Sequence, residues 1–578
     1  MSLPKQSVFP GVLVGAWNEE MQKIATENMV TRLWARDTSL WPAEKHQVPI
    51  IESNLRWLDL PEQMEAHIAH AVQCAAAARN DGFDHLVFVS MGSSTLATAA
   101  SVSLSDASVH QHLHLLDSAD PDAVRRLEAQ LPLERTLFIF TSKSGKRIET
   151  HALLLYFLGK LKAAGIALPG KHFVAFTEQG SYLATLAKGY KFRDAIFDQP
   201  GILGRYSGLI HFSIFQTGIS RLDEARLLET ILAMKNACGP STPLAYNPAA
   251  SLAAFLAAGM REGIKKVVLL TGDELSYFAY RIAHLVSGST TGNGHGLLPI
   301  FPQTSYAPQT LQNGSLVISV TMEGQTQVPL QQTQQLCAMG IPLVEIQLHS
   351  PMEFAAEIFK WEIVTALACA SLGVNCFQDA AGTPNLAEVS EHLENISAKR
   401  ARVLPTVRVE EDGITLYAQG ETRRSISTLN LRSALQTFLD LRDAGGYVAV
   451  CPFFEVRGLY CSVLRPLRDR MRHELGMPVQ VASGPRYLYS LGKIFKSGPA
   501  NGIFIIITAD PAEDINIPGA DYTLGELQLA FALTECAALE DARKPTIRLH
   551  LSQGPEKGLK QFSDVVIQAM AQIRGGAG

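Results

Sequence analysis

The sequence predicts an α/β protein built on parallel sheets with helices on both faces. Three observations carry the prediction. Short apolar runs rich in β-formers alternate with stretches of helical period. The alternation recurs in three separate parts of the chain. Apolar residues make up 47% of the 578 residues and charged residues 18%, a balance that fills large cores and argues against global disorder. At roughly 150 residues per domain, the length suggests three or four domains.

Residues 1–45 read as a helical lead-in, with Met21, Ile24, Ala25 and Met29 at helical spacing between Ala16 and Trp41. The first α/β set covers 46–235. Its strands are His85–Met91 (HLVFVSM), His112–Leu116, Thr136–Thr141 (TLFIFT) and His172–Phe176 (HFVAF). Between them lie a small-residue helix from Gly92, a helix over Pro121–Gln130 and a clear one over Ile148–Ala164. The second set covers 236–400. It places strands at Lys266–Leu270, Leu316–Val320 and Leu343–Gln347, and helices at 275–286, 329–339 and 353–372. Residues 401–430 are polar and read as a linker or edge hairpin. A C-terminal α/β segment, 431–578, holds strands at Tyr447–Cys451, Val479–Val481, Gly502–Thr508 and Thr546–Leu551.

Charge and composition exclude several functions. The formal net charge is −5 at pH 7 with His neutral. That argues against a nucleic-acid partner held by bulk charge, while leaving room for a local basic pocket. The apolar runs fall far short of the roughly 20 residues that span a bilayer. The N-terminal MSLPKQSVFPGVL lacks the apolar core of a signal peptide, so no membrane partner is expected. The eight Cys, at 74, 238, 337, 369, 376, 451, 461 and 536, form no CxxC pair. They read as free thiols in a reducing, cytoplasmic setting. Neither a disulfide scaffold nor a Cys-based zinc site is expected.

The most informative stretch is Thr136–Thr150, TLFIFTSKSGKRIET. A buried strand ends in Ser142-Lys143-Ser144-Gly145 and runs into a helix. Helix N-termini present free N–H groups and partial positive charge, and small hydroxyl residues and Gly let an anion approach them. Lys146 and Arg147 stand where the helix dipole disfavours cations, a placement that makes sense beside a bound anion. The plainer reading is an N-cap turn with solvated basic residues. Ser90-Met91-Gly92-Ser93-Ser94-Thr95 repeats the pattern at the first strand end, where open α/β sheets line their ligand crevice.

These residues carry a resemblance. SKSG followed by ET, with the upstream Gly-Ser-Ser turn, resembles the sugar isomerase (SIS) phosphate loop of glucose-6-phosphate isomerases. Gly204-Arg205-Tyr206-Ser207 resembles that family's GGRYS segment. WEIVTALACASLGVNCF, Trp361 to Phe377, resembles the helix leading to its NPFDQ motif. GPRYLYSLGKIFKSGP (Gly484–Pro499) and TADPAEDINIPGADY (Thr508–Tyr522) resemble the C-terminal part of the isomerase half of bifunctional transaldolase/glucose-6-phosphate isomerases. The motifs run in order from about Arg32 to Leu551, and no transaldolase-like half accompanies them. The resemblance implies two SIS-type doubly wound domains followed by the C-terminal segment. It implies interconversion of glucose 6-phosphate and fructose 6-phosphate through an enediolate, as in glycolysis and gluconeogenesis, with no metal or organic cofactor. It further implies a phosphate pocket from Ser94, Ser142 and Ser144, joined by Lys143 and by Arg147, which stands where the family has Thr. Arg205 would stabilise the enediolate; its plainer reading is a surface ion pair. The family commonly forms homodimers, and a separately encoded transaldolase is a conceivable partner.

Aldose–ketose isomerisation needs a base near C1–C2, ring-opening groups and positive charge at the enediolate oxygen. The family supplies a Glu, a His and a Lys. Aligning Gly296-Leu297-Leu298-Pro299 with its GLLP puts Gly288 at the Glu position, and no acidic residue occurs between Glu274 and Glu323. Tyr489 stands at the His, and the Lys position falls near Leu386. Each such loss costs roughly 10²–10⁴ in rate, though not additively. Candidate substitutes are His284, one helical turn before Gly288, His295 in the TTGNGHG loop, Tyr489 as proton donor, and Lys493 and Lys496. Each has a plainer reading: a helix-face His, a loop residue, solvated lysines. Glu362, on an otherwise apolar helix, reads as a buried ion-pair partner rather than a base. Two functions therefore stand side by side: an isomerase with a non-standard base, and an inactive sugar-phosphate-binding or regulatory relative.

Overall fold

The computed structural model describes residues 3–91, 112–210, 223–292, 294–301, 314–324, 330–378, 384–397, 407–426, 430–443, 445–499 and 501–575. The chain separates into two compact units. Unit 1 comprises residues 1–115, 132–146 and 168–380, and unit 2 comprises 116–131, 147–167 and 381–578. Unit 2 thus takes in two segments that the sequence places in the first α/β set.

Unit 1 carries two sheets. Its strands are β1 (Lys5–Phe9), β2 (His85–Ser90), β3 (His112–Leu116), β4 (Thr136–Thr141), β5 (Phe173–Glu178), β6 (Asp194–Asp198), β7 (Lys266–Thr271), β8 (Leu298–Ile300), β9 (Ser315–Met322) and β10 (Leu343–Leu348). The sheet orders are β3-β2-β4-β5-β6 and β1-β10-β9-β7-β8. β2, β4, β5 and β6 run parallel, as do β10, β9, β7 and β8. Each sheet winds outward in both directions from its first parallel strand. Switch points therefore lie between β2 and β4 and between β7 and β9, the places where such sheets open a crevice. The central strands are near-continuous apolar runs because both faces are covered; Val87, Phe138, Phe173 and Val317 are wholly buried.

Three strands, β1, β6 and the three-residue β8, depart from the sequence reading. β1 lies inside the expected helical lead-in and pairs antiparallel with β10, Lys5 opposite Gln347 and Phe9 opposite Leu343. Five residues give too short a period to be read. β6 (DAIFD) is short, with an Asp at each end, and was equally hidden.

The helices used below are α1 (Val14–Thr26), α2 (Pro121–Glu128), α3 (Ile148–Ala163), α4 (Tyr182–Gly189), α5 (Pro248–Arg261), α6 (Ser276–Thr290), α7 (Glu353–Leu372) and α8 (Leu524–Asp541). α5 and α7 are apolar nearly all round and buried along almost their whole length, as helices inside a core must be. With α1 and α6 they contribute Ile24, Phe255, Phe278, Phe354 and Trp361 to one core.

Unit 2 carries α2, α3 and a six-stranded sheet. Its strands are β11 (Val407–Glu411), β12 (Ile414–Ala418), β13 (Tyr447–Pro452), β14 (Val479–Val481), β15 (Gly502–Ala509) and β16 (Thr546–Leu551), in the order β11-β12-β16-β15-β13-β14. The last four in that order are mutually parallel. β11 and β12 form an edge hairpin on Asp412-Gly413, both at positive φ (51° and 79°), the backbone a tight hairpin turn requires. A capping box between Thr523 and Glu526 starts α8. Among the described residues no helix is long and apolar enough to cross a membrane.

Candidate functional site

The turn after β4 is held from below. Thr177 Oγ1 donates to the carbonyls of Ser142 (2.7 Å) and Lys143 (3.0 Å). The amides of Glu178 and Tyr182 donate to the Lys143 and Ser144 carbonyls, each at 3.2 Å. Gly145 has φ +69°, and a Cβ there would lie 2.1 Å from the Leu183 amide nitrogen, so only glycine lets the turn sit on α4. Ser142 Oγ accepts from the Gly145 amide at 3.2 Å, and Ser144 Oγ from the Lys146 amide at 3.3 Å. Ser142 is buried and Ser144 exposed. Ser94 lies outside the described residues.

Lys143 turns inward. Its ammonium lies 3.0 Å from Asp198 and 3.4 Å from Glu178. It donates to Ser207 Oγ at 2.9 Å and to the Ile202 carbonyl. The strand-end turn is thereby joined to the segment that follows β6.

That segment holds Arg205, which is buried rather than set in a surface ion pair. Its Nη2 donates to the carbonyls of Cys376 (2.8 Å) and Gln378 (2.9 Å), just after α7. Arg281 on α6 donates through Nη2 to the Arg205 carbonyl (2.6 Å) and to Glu362 Oε1 (3.2 Å). Glu362 Oε1 also accepts from the Gly208 amide at 3.0 Å. A Cβ on Gly208 would meet Ile358 Cγ2 at 2.5 Å and Arg281 Nη2 at 2.6 Å. Arg281 and Glu362 lie 3.2 Å apart, 1% and 0% exposed, and burial pushes the Glu362 carboxyl up to about 8 against the pull of Arg281. Buried pairs of this kind stabilise weakly, but removing one partner strands a charge. Arg281 escaped the sequence reading; the only signal for it was a charge inside an apolar helix.

His284 and Gly288 share α6, and His284 is buried. A Cβ on Gly288 would lie 3.3 Å from Arg205 Cδ. The position aligned with the family's Glu therefore abuts Arg205. His295 is exposed on a tight loop where it exchanges backbone hydrogen bonds with Gly292.

Unit 2 holds the remaining candidates. Arg147 precedes α3 with extended backbone, and its guanidinium stacks 4.2 Å from the Tyr489 ring centroid. Tyr489 Oη donates to Glu149 Oε1 at 2.6 Å. Burial raises the Glu149 carboxyl above its usual range, opposed by the Tyr489 hydrogen bond. Burial, then the Glu149 charge, raises the Tyr489 phenol well above 10. Lys496 pairs with buried Glu535 at 2.6 Å, so it is not solvated.

No family model matches the chain. A glucose-6-phosphate isomerase of Cyanothece sp. is 29% identical over 265 residues, 45% of this chain and 49% of the relative. One from Desulfitobacterium hafniense is 28% identical over 268 residues, 45% of this chain and 48% of the relative. The chain thus spans about half the length of these curated relatives. Among solved structures, a hypothetical protein of Thermus thermophilus superposes with a TM-score of 0.55 at 20% identity, covering 69% of this chain and 100% of that one. At that identity the likeness speaks to the fold.

Proposed function

We propose that this chain, a relative of the glucose-6-phosphate isomerase family with SIS-type parallel sheets, binds a hexose phosphate in unit 1, at the carboxyl ends of β4 and β6. One observation carries the reading: the anion-type turn and the Arg205 turn are joined through Lys143 and Ser207. The phosphate takes the Ser142–Lys146 turn through its hydroxyls and amides. Arg205 faces the sugar carbons, where its charge stabilises an enediolate oxygen. Losing a preorganised donor in such a place costs on the order of 10²–10³ in rate. His284 is the nearest candidate base by chain position, one turn before Gly288. Arg147 and Tyr489 lie in unit 2, where the guanidinium packs 4.2 Å from the Tyr489 ring centroid. With Tyr489 donating to Glu149, its phenol holds its proton at neutral pH.

A second reading rests on Gly288. The place beside Arg205 where the family carries its base holds no side chain, so the sugar phosphate would be retained with little turnover. Proton NMR with fructose 6-phosphate in D2O separates the readings. Selective line broadening with glucose 6-phosphate appearing deuterated at C2 marks an isomerase, and broadening without conversion or exchange marks a binding protein. Neither broadening nor exchange would sink both.

A further inference from the structure

We infer that Lys143 is a positioning residue for Arg205 rather than a phosphate ligand. The inference rests on the reading that Arg205 faces the sugar. An ammonium has three N–H donors and no acceptor. Around Lys143 Nζ stand Asp198 (3.0 Å), Glu178 (3.4 Å), Ser207 Oγ (2.9 Å), the Gln199 carbonyl (3.5 Å) and the Ile202 carbonyl. Acceptors outnumber donors, and two of them are carboxylates. A phosphate approaching this ammonium would have to displace groups of its own charge. The side chain is 17% exposed and the Asp198 carboxylate 1%, so the pairing is little screened by solvent.

What Lys143 holds is one hydrogen-bonded piece of chain. Asn54 Oδ1 accepts from the Leu203 amide at 2.8 Å. The Tyr206 amide donates to the Leu203 carbonyl at 2.8 Å, and Ser207 Oγ donates to the same carbonyl at 3.2 Å. Arg205 lies inside that piece, so a shift of Ser207 is a shift of Arg205. On the other side Arg281 and Glu362 grip the Arg205 carbonyl and the Gly208 amide. Lys143 is the strut that fixes this turn to the anion loop, which sets the spacing between a bound phosphate and the guanidinium. Orientation of this kind governs affinity for the whole ligand and leaves the isolated phosphate untouched.

The test titrates wild type, Lys143→Met, Arg205→Met and the double variant with inorganic phosphate and with fructose 6-phosphate. In Lys143→Met, phosphate affinity should stay within about twofold of wild type. Fructose 6-phosphate affinity should fall at least about tenfold, and the double variant should be no weaker than Arg205→Met, since residues acting as one unit are not additive. Ser207→Ala, which leaves the Asp198 pair in place, should show the same split to a smaller degree if Lys143→Met does not fold. The Arg205 Nε–H resonance of the ligand-free protein should shift or broaden in both variants. Equal loss of both affinities would make Lys143 a phosphate ligand and overturn the inference. So would an unchanged Arg205 resonance. A wild type that binds neither ligand would remove the proposed function, and the resonance would still decide whether Lys143 sets Arg205.

Discussion

At the scale of single residues, Gly288 decides what the proposed Arg205 site could do. A glycine inside a helix costs up to about 1 kcal/mol relative to alanine, so its presence at the end of α6 needs a reason. Arg205 supplies one, because a Cβ there would press on Arg205 Cδ at 3.3 Å. A few tenths of an ångström of movement accommodates it. Gly288→Glu should therefore fold and place a carboxylate beside the guanidinium. We expect the rate at which fructose 6-phosphate in D2O yields glucose 6-phosphate deuterated at C2 to rise by at least about tenfold over wild type, toward the 10²–10⁴ that one general base supplies. An unchanged rate in a folded, sugar-binding variant would mean that position 288 is not where the proton is taken. Gly288 and Arg205 were legible in the sequence through their neighbours, the GLLP and GRYS segments. The inward turn of Lys143 was not, because it depends on Asp198 and Ile202, and the strand that delivers them is too short and polar to be read.

At the scale of elements, the buried runs were the legible ones. TLFIFT, LVISV and GIFIIIT sit in sheets covered on both faces, and burial on both faces writes a continuous apolar signal. β1 and β8 lie at the edges of their sheet and span five and three residues, so they leave almost no pattern. The turn after β4 was legible as a strand-to-helix turn of small hydroxyl residues and Gly, while its support on α4 was not, because Thr177 and Leu183 lie far along the chain. That support makes a sharp prediction. Gly145→Ala must strain a backbone at φ +69° and move Leu183, a cost on the order of 1–3 kcal/mol or more. Thermal melting should show the loss of stability, and phosphate titration should show weaker binding. An alanine variant with wild-type melting and affinity would mean that the turn does not need this conformation.

At the scale of the whole molecule, the two compact units each close a core around parallel sheets. Their limits do not follow the three recurrences in the sequence, because α2 and α3 group with unit 2, and no local signal reports which neighbour a helix joins. Burial on this scale also sets a pH dependence. The Glu362 carboxyl titrates near 8 in the folded chain against 4.5 as its reference. Between those values the folded state keeps a proton that the unfolded state releases. Stability from this group is full below about pH 4.5 and falls as pH rises towards 8, by at most about 1.4 kcal/mol per unit. Melting temperatures taken from pH 5 to 9 should show a steeper decline in wild type than in Glu362→Gln. Parallel curves would mean that Glu362 is ionised throughout.

The proposed function requires unit 1 to hold a sugar phosphate between the Ser142–Lys146 turn and Arg205. Calorimetric titration of wild type and Arg205→Met with fructose 6-phosphate tests it most directly. Saturable binding by wild type, competed by inorganic phosphate and weakened at least about tenfold by Arg205→Met with the fold intact, is the predicted result. Equal affinity in the two proteins, or no binding at millimolar ligand, would contradict it.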